Sequence, residues 1–316
     1  EIPELSGEPV VFSAAGSPAP MLIMGGGYDE AGEDPFTPTS SPTMGNAIFI
    51  FDAFTGEKLK EFATERAVPA DVSLLDSDYD GFVDRAYASD VHGNVYRIDF
   101  EVAKTCSPAS ATCGMTKDDW KLRAVASLSD KTSTPNVIRK VFFAPDVVLG
   151  NGFAGIMVCT GDREKPLCGR GSTDSPNCPA TADGFYTIFD TLGARPADTD
   201  TITLVTPSVL GAVNTDQSKV KGCVIPMNTG GEKVINAPTT VGGITYFSSN
   251  KPPQPQANSC SANLGAATAY AAPLFCQATY TKGRIRGGGL PPSVVAGTAM
   301  VTYKDPVTGQ DKERAV

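Results

Sequence analysis

Four aspartates and a glycine fall within nine residues of this chain at a spacing that suits one hard cation. In the stretch DSDYDGFVD, Asp76, Asp78 and Asp80 alternate with other residues, Gly81 permits a sharp turn, Phe82 can offer its backbone carbonyl, and Asp84 closes the far side. Calcium (Ca2+) takes roughly six to eight oxygens at about 2.3–2.6 Å, and one short loop of this spacing supplies most of them. Without a cation the same carboxylates would repel one another.

The loop follows the start of an EF-hand, with ligands at the first, third, fifth, seventh and ninth positions and glycine at the sixth. It departs at the twelfth, where Tyr87 cannot act as the bidentate glutamate. Its flanks, VSLL (Val72 to Leu75) and RAYASD (Arg85 to Asp90), alternate like strands rather than with helical spacing, which places the loop at the tip of a β-hairpin. The bland alternative is an Asp/Gly-rich turn whose side chains bond only their own backbone. Acids at every alternate position exceed what such a turn needs. With the glutamate missing, affinity is expected in the extracellular range, about 0.1–1 mM, unless another segment adds ligands.

The rest of the chain must position this loop, and its patterning is that of strands. VVFSAA (Val10 to Ala15), MLIMGGG (Met21 to Gly27) and AIFIFDAFTGEKLKEF (Ala47 to Phe62), the last split by a turn over Asp52 to Gly56, lead into the hairpin. HGNVYRIDF (His92 to Phe100), WKLRAVASL (Trp120 to Leu128), RKVFFAPDVVLG (Arg139 to Gly150), AGIMVCTGD (Ala154 to Asp162) and GFYTIFD (Gly184 to Asp190) follow. GEKVINAPTTVGGITYFSSN (Gly231 to Asn250) reads as a hairpin turning at VGG, and ATAYAAPLF (Ala267 to Phe275) and GGGLPPSVVAGTAMV (Gly287 to Val301) supply the last strands. No stretch keeps helical periodicity over several turns, so the class is all-β. NAIFIFDAFTG and GNVYRIDFE share a form, and such weak repetition over 316 residues favours a propeller over a sandwich.

A net charge of −9 and an isoelectric point near 4.7 argue against an electrostatic grip on nucleic acid or an anionic membrane. No apolar run reaches the length of a membrane span. The chain opens at Glu1 without a leader, which reads as a C-terminal fragment of a longer exported protein forming one propeller domain over residues 1–316. Eight cysteines without C-x-x-C argue against zinc ribbons and for disulfides in an oxidising compartment, periplasmic or at the cell surface. Cys106 with Cys113, Cys168 with Cys178 and Cys260 with Cys276 look like local staples, leaving Cys159 and Cys223 for a longer link. Sequence does not fix that connectivity.

Several catalytic schemes find little support. GNGFAG (Gly150 to Gly155) spells a dinucleotide fingerprint but opens a β-like segment and reads as a turn. His92, the one histidine, sits in a turn where an exposed side chain needs no role, so histidine-based nucleophilic catalysis and zinc sites fall away. GRIRGGG (Gly283 to Gly289) reads as a solvated basic loop, and Asp198 and Asp200 as loop residues without a second calcium site.

The ordered set GGGYDE, FDAFTG, DSDYDGFVDRAYASDVHGNVYRID, RKVFFAPDVV, CTGDREKP, NAPTTVGGITYFSSN and GGGLPPS, from about Met21 to Val301, resembles the C-terminal domain of the PilY/PilC family of type IV pilus biogenesis factors and tip-associated adhesins. The resemblance implies a modified seven-bladed β-propeller related to quinoprotein dehydrogenases, with loop insertions and a calcium loop at one edge. Asp76, Asp78, Asp80 and Asp84 match the calcium-binding acids and Phe82 the backbone ligand. It further implies a non-enzymatic role in which calcium occupancy governs pilus extension against retraction, twitching motility and attachment to host or abiotic surfaces. Its partners would be pilins or pilus machinery, and its location the periplasm, outer membrane or pilus tip. No Arg-Gly-Asp occurs, since Arg170-Gly171 is followed by Ser172. A quinoprotein-like oxidoreductase and a structural propeller with constitutive calcium are the alternatives. The lone Trp120, in an ordinary strand context, and the lack of an adjacent cysteine pair speak against the first.

Overall fold

The computed structural model describes residues 10–14, 17–34, 42–101, 116–132, 137–168, 182–193, 196–197, 200–212, 221–227, 230–253, 264–295, 300–304 and 308–315. Strands dominate them. The first sheet is the antiparallel meander β1 (Val10–Ala14), β2 (Ser17–Gly25), β3 (Ala47–Asp52) and β4 (Lys58–Ala63), and the second is the meander β5 (Ser73–Leu75), β6 (Arg85–Ser89), β7 (Asn94–Asp99) and β8 (Lys121–Ser127). The third comprises β9 (Asp146–Leu149), β10 (Ala154–Cys159), β11 (Gly184–Asp190), β12 (Gly211–Ala212) and β13 (Gly222–Pro226), ordered β12-β13-β11-β10-β9. In the fourth, β14 (Lys233–Val234) and β15 (Thr239–Val241) both pair with β16 (Ile244–Lys251), which continues to β17 (Ala266–Pro273) and β18 (Thr281–Ile285). β19 (Met300–Lys304) and β20 (Asp311–Ala315) form a hairpin. The described α-helix is a single turn, Glu30–Glu33, capped by Asp29. No described helix is long and apolar enough to cross a membrane.

Side-chain alternation explains how the sheets stack. Ala86, Ala88 and Ile98 of the second sheet face Ile23, Ile48 and Ile50 of the first, while Tyr87, Val95 and Val125 point the other way onto Ile156, Val158 and Ile188 of the third. Met157, Cys159 and Phe185 then face Phe247 and Tyr270 of the fourth, with Phe247 stacked between Phe185 and Tyr270. A sheet covered on both faces needs strands buried along their whole length, and β6, β7, β10 and β11 are buried at every residue. At one end of the stack β4 buries Phe62 alone, and at the other β18 is nearly all exposed. The all-β class agrees with the sequence; the packed sheets have four or five strands each. Among the described residues, no sheet closes on itself.

Turn chemistry is as expected at three places. Asp52 Oδ1 accepts from Phe54 N (2.9 Å) and Thr55 N (2.8 Å), so the side chain itself shapes the β3–β4 turn. Gly242 (φ 59°) and Gly243 (φ 81°) form the two-residue β15–β16 turn, where two positive φ values match the twist of the strands. Gly150 to Phe153 link β9 to β10 as a hairpin loop, closed by Gly150 N donating to Phe153 O (2.8 Å), which bears out the turn reading of GNGFAG.

Other expectations are corrected. Cys223 is bonded to Cys276 (Cα–Cα 6.0 Å), which excludes both Cys260–Cys276 and Cys159–Cys223. Cys159 is a buried free thiol whose burial pushes its pKa well up. Cys168 is disulfide-bonded, while Cys178 and the pair Cys106 and Cys113 lie outside the described residues. Gly283 to Ile285, read as part of a basic loop, belong to the edge strand β18, where glycine and long cations leave an exposed edge unattractive to further strands. Of the segment Arg139 to Gly150 only Asp146–Leu149 is strand. The last hairpin begins at Met300, almost at the end of the segment expected to hold it.

Candidate cation-binding loop

Asp76 to Asp84 join β5 to β6 at the tip of a hairpin, as the flanking alternation requires. Leu75 and Arg85 are cross-strand partners, and Asp84 N donates to Leu75 O (3.0 Å) where the loop closes. Within it, the acids organise the main chain. Asp76 accepts from Tyr79 N (2.7 Å) and Gly81 N (3.0 Å), Asp78 from Asp80 N (3.3 Å), and Asp80 from Phe82 N (2.8 Å). Asp84 Oδ2 accepts from Ser77 N (2.6 Å) and from the Ser77 hydroxyl. Gly81 has φ 92°, and a Cβ there would meet nothing within 4 Å, so glycine is needed for its backbone conformation and not for space. Tyr79 also takes a left-handed conformation (φ 63°), with its ring 83% exposed.

These bonds bring Asp76, Asp78 and Asp84 together, each offering a carboxylate oxygen within 4.8 Å of the others. Asp84 is only 2% exposed, Asp76 is half-buried and Asp78 is exposed, so the group opens outward from a fixed inner member. No salt bridge joins Asp76 or Asp84 to a basic side chain among the described residues; main-chain N–H groups and Ser77 serve them instead. Like charges so close gain from a cation, and an all-oxygen donor set selects a hard one. The group is therefore one that could hold a cation. The Asp80 carboxylate lies outside it and is turned to the Phe82 amide, and Phe82 is 40% exposed.

The loop is tied to the core at its outgoing end. Val83 N donates to Ser13 O (2.7 Å) of the first sheet, and Phe100 N to the Asp84 carbonyl (2.9 Å). Tyr87, at the twelfth position, is buried in β6 and donates to Asp190 Oδ2 (2.8 Å) of the third sheet, a role unrelated to metal.

At the other end of β6 lies a buried charge cluster that the sequence did not disclose. His92, expected to be exposed, is buried in the β6–β7 turn with Nε2 3.1 Å from Glu33 Oε2. Arg66 grips the same carboxylate bidentately, Nε to Oε1 and Nη2 to Oε2, each at 2.8 Å. Burial by itself would raise the Glu33 pKa, but His92 and Arg66 outweigh it and hold the carboxyl below its ordinary value. Lys140 donates to the Glu33 carbonyl (2.9 Å) and lies 3.5 Å from Asp162; burial depresses its pKa. Partners so far apart in the chain leave no local pattern. Only the charges interrupting apolar strands, such as Arg97 in NVYRID, hint at buried ion pairs, and Arg97 does meet Asp99 and Asp190 inside the stack. Asp200 accepts from Ala197 N (2.8 Å) in a local turn, while Asp198 lies outside the described residues.

No protein-family model matches this sequence, and no curated protein matches it. Among solved structures, the crystal structure of the Pseudomonas aeruginosa PilY1 C-terminal domain superposes with a TM-score of 0.61 at 15% identity, over 98% of this chain and 70% of that one. At that identity the likeness is one of fold, and it extends over essentially the whole of the present chain.

Proposed function

We propose that this chain is a non-enzymatic, calcium-binding β-propeller domain of a type IV pilus biogenesis and adhesion protein of the PilY/PilC kind. The observation that carries the reading is the hairpin loop in which Asp76, Asp78 and Asp84 converge within 4.8 Å, on a chain sharing its fold with a PilY1 C-terminal domain. Asp80 and the Phe82 carbonyl complete the ligand set once a cation draws them in. The four successively packed sheets are consecutive blades of one modified propeller. Calcium occupancy orders the loop and changes the surface that pilins or pilus machinery meet, setting extension against retraction and, through it, twitching motility and attachment. The domain works outside the cytoplasm, in the periplasm, at the outer membrane or at the pilus tip. A quinone-dependent enzyme is disfavoured because Trp120, the aromatic best suited to stack a cofactor, is buried edge-on against Phe100 at 5.2 Å.

Calcium binding only the ordered loop stabilises that state by RT ln(1 + [Ca]/Kd), about 2.7 kcal/mol at a hundredfold excess. Isothermal titration should give one binding event for the native chain and none for Asp78→Asn, whose exposed side chain leaves the fold intact. Equal heats for the two proteins would remove the loop from consideration.

A further inference from the structure

A cavity of about 400 Å³, lined by no residue of the acidic loop, lies where the segments before β9, after β10 and after β18 meet β14. Its walls are apolar: Phe143, Ile235, Leu290 and the neighbouring prolines, with Leu290 72% exposed. Two cations, Arg163 and Lys233, line it, and no acid does. In a chain of net charge −9 that is a local inversion of character.

The two cations differ in what they have left to give. Lys233 is buried, and its ammonium donates to Cys168 O (2.6 Å) and Gly231 O (3.0 Å), which fixes it in the wall. Arg163 lies over the Phe143 ring, 5.4 Å from its centroid, and no carbonyl or carboxylate among the described residues accepts from its guanidinium. The neighbouring Asp162 is engaged elsewhere, with Lys140 at 3.5 Å and Lys165 at 3.9 Å. A guanidinium placed by an aromatic ring, with its N–H donors not taken up by the protein, can offer that fork to a carboxylate bidentately. The opposite wall is braced: Asn236 Nδ2 donates to Pro292 O (3.0 Å) and Asn250 Nδ2 to Gly289 O (2.6 Å). A rigid apolar pocket with few placed polar groups has the anatomy of a small-ligand site.

We propose that this cavity binds a small amphipathic monoanion, its carboxylate held by Arg163 and its apolar body lying against Phe143, Leu290 and Pro292. The inference is independent of the calcium reading, which concerns the β5–β6 loop. The shared chemistry could come from a free organic carboxylate or from the C-terminal carboxylate of an apolar peptide.

The test is titration of the full chain with 3-phenylpropanoate, its neutral amide, and N-acetyl-Gly-Phe with a free or an amidated C-terminus. Binding of 3-phenylpropanoate or of N-acetyl-Gly-Phe with its free carboxylate, at least about tenfold tighter than the matching amide, is expected. The tighter of the two acids identifies the source. Arg163→Gln, an exposed substitution, should abolish that preference with melting unchanged, and Arg163→Lys, which keeps charge without the fork, should retain part of it. No saturation by either acid up to about 10 mM, equal binding of acid and amide, or an unchanged preference in Arg163→Gln would overturn the proposal.

Discussion

Replacing Arg66 by methionine roughly keeps the length of the side chain and removes its charge, and with it the ion pair with Glu33 and the bond to the Gly32 carbonyl (3.3 Å). In the native chain both side chains are almost wholly buried and joined by two hydrogen bonds of 2.8 Å. Removing one partner of such a pair leaves an uncompensated buried charge, at a cost of about 3–5 kcal/mol. Unfolding entropy is about 2.1 cal/mol/K per residue near 60 °C. Over 316 residues this gives about 0.66 kcal/mol/K, so cooperative unfolding should occur about 5–8 °C lower. The assay is urea denaturation and calorimetry of Arg66→Met, Glu33→Gln and the double variant at pH 7. The double variant should recover much of the loss, because neither charge then remains stranded. A drop below about 1 kcal/mol in Arg66→Met, or no recovery in the double variant, would refute the assignment of this pair as a buried unit.

Two further predictions concern stability. Cys223 and Cys276 close a loop of separation 53, which in the chain-entropy account stabilises by about 4 kcal/mol; melting of the Cys223→Ser/Cys276→Ser variant under non-reducing conditions should show that loss, and reductant should then lower its melting by less than that of the native chain, since the Cys168 disulfide remains in both. Acid should loosen the segment that carries the short helix. Burial would raise Asp29, but bonds from the Thr43, Gly32 and Met44 amides and the Thr43 hydroxyl outweigh it and lower its pKa, as His92 and Arg66 lower that of Glu33. Their stabilisation is therefore full above the unfolded carboxylate range, about 3.9–4.3, and is lost as pH falls through the depressed folded values. Urea midpoints should fall across that window, and Asp29→Asn should flatten the slope there.

Local features of this fold were legible in the sequence because local sterics and alternation decide them. Gly242-Gly243 dictates its hairpin, Asp52 its turn, and the period-2 pattern of β6 and β7 their extended backbone. The loop from Asp76 to Asp84 was found by spacing alone. What escaped was decided at a distance. Cys276 has a positive φ (63°) beside Phe275 (56°), a tight corner that turns its sulfur toward β13 and not toward a near neighbour in the chain. His92 reads as a surface turn residue until Glu33, from a different sheet connection, is brought beneath it. Burial of both faces in the second and third sheets likewise follows from stacking, which no single strand declares.

The same stacking explains how one loop could be conditional on a ligand in a chain otherwise so tightly packed. From Asp78 to Gly81 the loop is exposed and held by its own carboxylates, so its conformation can change without opening the core. From Val83 onward the chain is fixed, by Ser13 of the first sheet and Phe100 of the second. Asp84 stands at that boundary, its carboxylate in the acidic group and its carbonyl in the sheet. A cation gathered by Asp76 and Asp78 would thus be anchored at the junction of two sheets, and the segment it would order is the exposed one, with Tyr79 at its tip. The differential contacts that a ligand-driven switch requires are confined to that segment. It follows that Tyr79→Ser should leave calcium affinity and melting unchanged while altering any calcium-dependent partner contact, and a loss of calcium binding in that variant would show that the ring serves the metal site instead of the surface.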